Sequence, residues 1–359
     1  MSARVLYIAY PLLTVSEQSA GGAEQVLWTL EREAARRGLH TAVAASHGST
    51  ISGELLPTGE PCAMVDDFER RNREHQEKII AFVRRQGRGF DLIHDMSGSF
   101  WARAAEVDLP VLATLHLPRS FYPSAYFENV AENLSFNCVS HAQAASFADL
   151  KNMLGVVPNG IALDRFAEND AQLHFAGERK RLLWLGRICE EKAPHLALEI
   201  AAKAGLPMTV AGQVYPFSYH QAYFEREVAP RLESTPGATF ISSPSFQQKL
   251  RLLRQARALL ITSQAAETSS LVAMEAAACG TPVIALRRGA LPEVVVDQST
   301  GFVVESVEEA VQARGRLAEI SPRACLRHAR QNFDGCTMAQ RYIEVYARVL
   351  SHCGASAQV

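Results

Sequence analysis

The feature that most constrains this chain is an alternation, run through twice, between short apolar stretches of strand character and longer amphipathic stretches of helical character. In the first half "RVLYIAY" is followed by a polar, glycine-containing loop, "PLLTVSEQSAGGAEQ", then by the amphipathic "VLWTLEREAARRG" and the apolar "HTAVAAS". Strand, helix, strand in that order requires parallel pairing through a right-handed crossover. The alternation continues with a helix around "QEKIIAFVRRQG", strands at "DLIHDM", "VLATLHL" and "SFNCVS", and a helix at "HAQAASFADL". Continuously apolar strands between helices imply a sheet covered on both faces.

Turn chemistry interrupts the pattern at Pro158-Asn159-Gly160 in "VVPNGIALDRF", which makes this segment the expected linker. The second half repeats the logic with strands at "RLLWLGR", "MTVAG", "ATFIS", "ALLITS", "PVIAL" and "GFVVE", and helices at "PHLALEIAAKAG", "HQAYFEREVAPRLES", "QQKLRLLRQA" and "LVAMEAAACG". A chain of 359 residues accommodates two domains of about 150 to 200 residues. The expected division is 1–160 and 161–337, with an amphipathic segment about 338–353, "TMAQRYIEVYARVLSHC", available to pack back on the first domain. The expected fold class is α/β, two Rossmann-like doubly wound domains facing a central cleft, with the loops that leave the C-terminal ends of the strands turned toward ligand.

A formal net charge of −2 excludes a global attraction to nucleic acid or anionic lipid. Seven cysteines, Cys62, Cys138, Cys189, Cys279, Cys325, Cys336 and Cys353, are scattered, with no C-x-x-C pair. They read as free thiols of a reducing compartment, in the core or incidental, not as a zinc site or disulfide frame. Cys279, just before Gly280, reads as packing. The N-terminal "MSARVLYIAYPLL" reads as a first strand, not a signal peptide, and no apolar run is long enough to span a membrane. The expected location is cytoplasmic.

The stretch that carries chemistry is "SQAAETSSLVAMEAAACGTPVIALRRGALPE". Glu267 follows the strand "ALLITSQ", where a catalytic loop belongs. Thr268, Ser269 and Ser270 suit a helix start, whose N–H groups favour phosphate. Glu275 falls one to two turns into that helix, which should stop at Gly280 with Pro282 beyond. Each carboxylate can accept hydrogen bonds from a vicinal diol, so a ribose and a hexose beside a diphosphate would give both acids a task.

"E-T-S-S-L-V-A-M-E" resembles the E-x7-E motif of glycosyltransferase family 4, retaining enzymes of the GT-B fold, and "AAACGTPVIA" resembles that family's continuation. Further landmarks occur in order: "GGAEQ", "TLH", "VVPNGIALDRF", "LLWLGRICEEKAP" and "GALPEVVVDQSTGFVV". The resemblance covers nearly the whole chain. It implies a hexosyltransferase that moves a sugar from a UDP- or GDP-sugar, UDP favoured, to an acceptor hydroxyl with retention of configuration. No cofactor and no metal are implied, and the chain has no D-x-D.

By the same resemblance Arg187 and Lys192 clamp the donor diphosphate, Glu275 holds the ribose hydroxyls, and Glu267 holds hydroxyls of the transferred sugar. His116 faces the sugar and steadies an oxocarbenium-like transition state. Gly21 and Gly22 let the first loop approach the donor closely. Gly212, Thr268, Ser269, Ser270 and Leu271 complete the expected donor site. Many relatives carry a small residue, an aromatic and a glycine after the first glutamate; here Thr268, Ser269 and Ser270 stand instead, with hydroxyls that can add hydrogen bonds. The two glutamates are then binders, not the acid and base of a glycosidase.

Plainer readings compete at each position. Glu267 could be a solvated loop acid, Glu275 an exposed helix residue, Arg187 and Lys192 surface charges, His116 a satisfied strand-end histidine, and Gly21-Gly22 a turn. Ser140 and His141 stand as candidates for an acceptor edge, and Glu293 for a helix flank. The charged segment "DDFERRNREHQEKIIAFVRRQGRG", with Arg70, Arg71, Arg73, Lys78, Arg84, Arg85 and Arg88, is either a solvated helix face or a weak contact for anionic lipid or a phosphorylated acceptor. A nucleotide-sugar epimerase and a non-catalytic sugar-nucleotide binder are the alternatives to a transferase. The acceptor, whether small molecule, glycan or lipid-linked, is chosen by irregular loops such as "SHGSTISGELLPTGEPC" and "LPRSFYPSAYFENVAEN", which carry no transferable code.

Overall fold

A computed structural model of the chain describes residues 3–62, 67–86, 89–166 and 179–352. Two compact units emerge, Met1–Ile161 with Gly335–Val359, and Ala162–Asp334.

The first unit runs β1 (Arg4–Ile8), α1 (Gly22–Arg36), β2 (His40–Ala45), β3 (Glu54–Pro57), α2 (Phe68–Gln86), β4 (Leu92–Asp95), β5 (Val111–Leu115), β6 (Leu134–Cys138), α3 (His141–Ala145) and β7 (Met153–Val156). Its parallel sheet has the order β3-β2-β1-β4-β5-β6-β7. β4 and β5 are buried along their whole length, as strands covered on both faces must be. Trp101, Phe100, Phe136 and Ile79 close the core on one side of this sheet.

The second unit runs β8 (Leu182–Leu185), α4 (Pro194–Ala204), β9 (Met208–Gly212), α5 (Ser218–Tyr223), α6 (Ala229–Ser234), β10 (Thr239–Ser242), α7 (Phe246–Gln255), β11 (Ala258–Ile261), α8 (Leu271–Ala278), β12 (Val283–Leu286), α9 (Leu291–Val294), β13 (Gly301–Val304), α10 (Val307–Ala313) and α11 (Pro322–Asn332). Its parallel sheet has the order β10-β9-β8-β11-β12-β13. A π-helical turn, Phe224–Val228, joins α5 to α6, so "HQAYFEREVAPRLES" is helical nearly throughout. The chain then returns to the first unit as α12 (Gly335–His352), which packs along α1. Buried Tyr342 and Tyr346 of α12 meet Thr114 at 3.2 Å and His94 Nδ1 at 2.8 Å beneath the first sheet. These bonds satisfy polar groups that burial would otherwise penalise.

In both sheets the strand order reverses once, between β1 and β4 and between β8 and β11. Loops leaving neighbouring strands diverge at such a point, and the crevice between them is where a doubly wound sheet receives ligand.

Candidate active site

At the β8/β11 reversal, the loop after β8 carries Arg187, Glu191 and Lys192, and the loop after β11 carries Ser263 and Glu267. Gly212, at the end of β9, lets that strand end pass against the loop after β8: at φ +157 a Cβ on it would lie 1.8 Å from the Gly186 carbonyl oxygen. Lys192 Nζ donates to Glu267 Oε1 at 2.6 Å, and Ser263 Oγ donates to the same oxygen. Arg187 donates to Glu191 at 2.6 Å. Glu191 stays below the usual carboxylate range; against the effect of burial, its own backbone N–H and the Arg187 guanidinium favour the anion. The Gln264 N–H donates to the Glu191 carbonyl at 2.8 Å, so the two loops are tied through backbone as well as side chains.

The backbone of Glu267 is held from a third loop. The Ala290 N–H donates to its carbonyl at 2.7 Å, and Gly289, at φ +54, leaves the room: a Cβ there would stand 2.2 Å from the same oxygen. Ser270 is the N-cap of α8, yet its side chain makes no capping bond, and Leu271 opens the helix behind it. α8 stops as its sequence predicts. Gly280 takes φ +64, and the Thr281 N–H closes back on Ala276 at 2.9 Å.

Glu275 is neither solvated nor alone. It is 4% exposed on α8 and paired with Lys249 of α7, itself largely buried. Lys249 was not singled out in the sequence, where "QQKLRLLRQA" reads only as an amphipathic helix. Ser263, Glu191 and the Lys192–Glu267 pairing, which links positions 75 residues apart, were equally silent.

The β1/β4 reversal of the first unit has the same topology and a different chemistry. Gly21 is the N-cap of α1 and Gly22 its first residue. A Cβ on Gly21 would lie 2.0 Å from Glu24 Oε2, so the glycine makes space for that carboxyl over the helix N-terminus. Burial raises Glu24 to about 7, against its own backbone N–H. Asp95, at the end of β4, accepts from the Ser97 N–H, the Ser97 hydroxyl and the Trp101 N–H at 2.6 to 2.7 Å, yet burial still raises it to about 6. The buried Tyr10 hydroxyl has no hydrogen-bond partner among the described residues, and Gly98, at φ +75, passes so close that a Cβ would sit 2.3 Å from it. His116 follows β5 directly, and burial lowers it to about 4, which keeps its imidazole neutral at physiological pH.

The remaining candidates lie on helices or at their ends. Ser140 caps α3, its hydroxyl accepting from the Gln143 N–H at 3.2 Å, and Glu293 lies within α9. On α2, Arg70 is exposed and paired with Asp67 and Glu74, while His75, Ile79 and Val83 face inward; Asp66 and Arg88 lie outside the described residues. Among the described residues six cysteines are free thiols, five of them buried, and Cys353 lies outside that range. No described helix is long and apolar enough to cross a membrane.

Residues 165–328 match the family described as glycosyl transferases group 1, and residues 20–165 match glycosyltransferase family 4. A D-inositol 3-phosphate glycosyltransferase of Mycolicibacterium smegmatis is 25% identical over 390 aligned positions, spanning 95% of this chain and 89% of that protein. Among solved structures, AviGT4, a glycosyltransferase involved in avilamycin A biosynthesis, superposes with a TM-score of 0.73 at 25% identity, covering 97% of this chain and 98% of its own. Anabaena HepE, solved in complex with UDP-glucose, gives a TM-score of 0.72 at 16% identity, covering 96% of this chain and 99% of its own.

Proposed function

This chain belongs to the family 4 glycosyltransferases of the GT-B fold, and we propose that it transfers a sugar from a nucleotide diphosphate sugar to an acceptor hydroxyl with retention of configuration and without a metal. The observation that carries the proposal is the pairing of Lys192 with Glu267 beside Arg187 at the β8/β11 reversal. Two cations and two carboxylates are held there before any ligand arrives. A diphosphate entering beside α8 would take the ammonium of Lys192 and the guanidinium of Arg187 from their carboxylates, with the helix N–H groups adding to the field. Charge that grows on the leaving diphosphate is then met by groups already in place, the role a metal fills elsewhere.

Release of Lys192 frees Glu267 to accept hydrogen bonds from hydroxyls of the transferred sugar. Glu275, fixed by Lys249 and by burial, keeps a second carboxylate oxygen for the ribose diol. His116, neutral, would serve the sugar as a hydrogen-bonding group and not as a cation. The donor's anomeric carbon–oxygen bond breaks and the nucleoside diphosphate leaves with the electron pair. The acceptor oxygen forms the new bond on the same face and gives its proton to a leaving phosphate oxygen. UDP-sugars are favoured over GDP-sugars by frequency in the family, in keeping with the HepE complex.

The test is a panel of UDP- and GDP-sugars in the presence of a chelator, read by thermal shift and by slow donor hydrolysis. A stabilising sugar nucleotide whose released sugar keeps its anomeric configuration at first appearance is expected. Absence of stabilisation by every nucleotide would sink the donor site. Inverted product would sink retention, and epimerised donor without hydrolysis would point to an epimerase.

A further inference from the structure

Outside the residues assigned to donor binding, the second unit gathers one thiol, one carboxylate and one imidazole. The donor atoms of Cys189, Glu191 and His220 all lie within 4.8 Å of one another. Cys189 and Glu191 come from the loop after β8, and His220 comes from α5. Cys189 is fully buried and His220 is 1% exposed. Among the described residues neither ring nitrogen of His220 has a hydrogen-bond partner, although a buried imidazole ordinarily finds at least one. The ring is held from several sides: Tyr219 packs edge-on at 4.4 Å between centroids, Phe217 lies at 5.0 Å, and Tyr215 stacks at 6.1 Å. A buried, oriented imidazole without a partner, aimed at a thiol and a carboxylate, lacks only the group that all three can share.

We propose that Cys189, Glu191 and His220 form a binding site for a borderline-soft divalent cation, Zn²⁺ above all. Sulfur, nitrogen and carboxylate oxygen are the donors zinc takes, with Zn–S about 2.3 Å and Zn–N about 2.0 Å, which sets tetrahedral donors roughly 3.3 to 3.8 Å apart. Side-chain rotation closes the remaining distance. The hard cations Mg²⁺ and Ca²⁺ are disfavoured by the thiolate. Arg187 stands beside the cluster and opposes a cation, but the thiolate and carboxylate together bring two negative charges against its one. Three protein donors leave a fourth position for water or a ligand oxygen. The ion would tie α5 to the loop that carries Arg187 and Lys192. A cation on Glu191 would compete with Arg187 for that carboxylate, but cation uptake is read without any nucleotide, so each reading can fail without the other.

The experiment is a Co²⁺ titration of the reduced, chelator-stripped protein, followed by Zn²⁺ competition, on the parent, Cys189→Ser and His220→Asn. The parent should take up one equivalent of Co²⁺ with a near-ultraviolet thiolate-to-cobalt charge-transfer band and tetrahedral ligand-field bands, both abolished by one equivalent of Zn²⁺. Cys189→Ser should lose the charge-transfer band, and His220→Asn should bind at least about tenfold more weakly. Metal-free melting of both variants close to that of the parent would show that the fold survives. Either of two results overturns the proposal: no charge-transfer band in the parent, or a band that persists in Cys189→Ser. Unchanged affinity in His220→Asn overturns the role of the imidazole and with it the site.

Discussion

The two strand-order reversals are the same device with opposite electrostatics. At β8/β11 the crevice groups are charged and paired: Lys192 with Glu267, Arg187 with Glu191, and Lys249 with Glu275 beneath. At β1/β4 burial pushes the groups toward neutrality, with Glu24 raised to about 7, Asp95 to about 6 and His116 lowered to about 4. Topology places a crevice, and the residues on its loops decide its ligand. Fixed charge suits a diphosphate; buried carboxyls that titrate near neutral pH, beside a neutral imidazole, suit hydroxyls.

The largest expected effect breaks the charged side from below. Lys249→Met leaves Glu275 buried without its ion-pair partner and should cost about 3 to 5 kcal/mol of stability, read by urea unfolding. A loss under about 1 kcal/mol would show that the pair is no more than a surface bridge. Next, Arg187→Ala and Lys192→Ala should each raise the transfer barrier by about 2 to 4 kcal/mol, seen in kcat/KM. Near-parental kinetics would refute the clamp. The two acids should also divide: Glu267→Gln lowers turnover with nucleotide affinity kept, whereas Glu275→Gln weakens nucleotide binding itself, and equal effects would reject that division.

The β1/β4 crevice is tested through pH. Glu24 binds its proton more tightly folded, at about 7, than unfolded, at its ordinary 4.5, so its contribution to stability is whole below 4.5 and is lost as pH rises through 7. The buried histidines work oppositely. His75 and His116 fall from 6.5 to about 4 on folding, so their contribution is present above 6.5 and disappears as pH falls through 4. Glu24→Gln should therefore gain on the parent as pH rises from about 5 to about 8, by about 1 to 3 kcal/mol in urea unfolding. A difference independent of pH would show that Glu24 is already ionised in the fold. The smallest effect concerns Ser270: with no capping bond to lose, Ser270→Ala should change stability by less than about 0.5 kcal/mol, whereas Ser245→Ala breaks the capping box of α7 and should cost about 1 kcal/mol. A full capping cost at Ser270 would place it in the fold and not at the ligand.

The strands that bury both faces were legible in the sequence, because a covered parallel strand must be apolar at every position, as "LLWL", "ALLI" and "VIAL" are. The edge strands were not. β3, "ELLP", is largely exposed, ends in proline and lies in a segment that reads as an irregular loop, and β7, "MLGV", which pairs across a register shift, carries no strand signal of its own. "HAQAASFADL" promised a longer helix than His141–Ala145. Within the site, family landmarks pointed to Glu267, Glu275, Arg187 and Lys192, but partners distant in sequence leave no local pattern. Lys249 looked like any solvent-facing lysine of an amphipathic helix, and the carboxyl of Glu24 inside "GGAEQ" gave no sign of burial. Cys189 and His220 carry no metal spacing, because the fold brings them together from the loop after β8 and from α5.

The central claim, that the charges at β8/β11 exist to hold a diphosphate, is tested most directly by comparing UDP with uridine in chelator by calorimetry, on the parent and on the Arg187→Ala, Lys192→Ala double variant. The parent should bind UDP at least about 100-fold more tightly than uridine, equivalent to roughly 2.7 kcal/mol, and the double variant should lose most of that preference while uridine binding holds. A preference for UDP that survives removal of both cations would contradict the account.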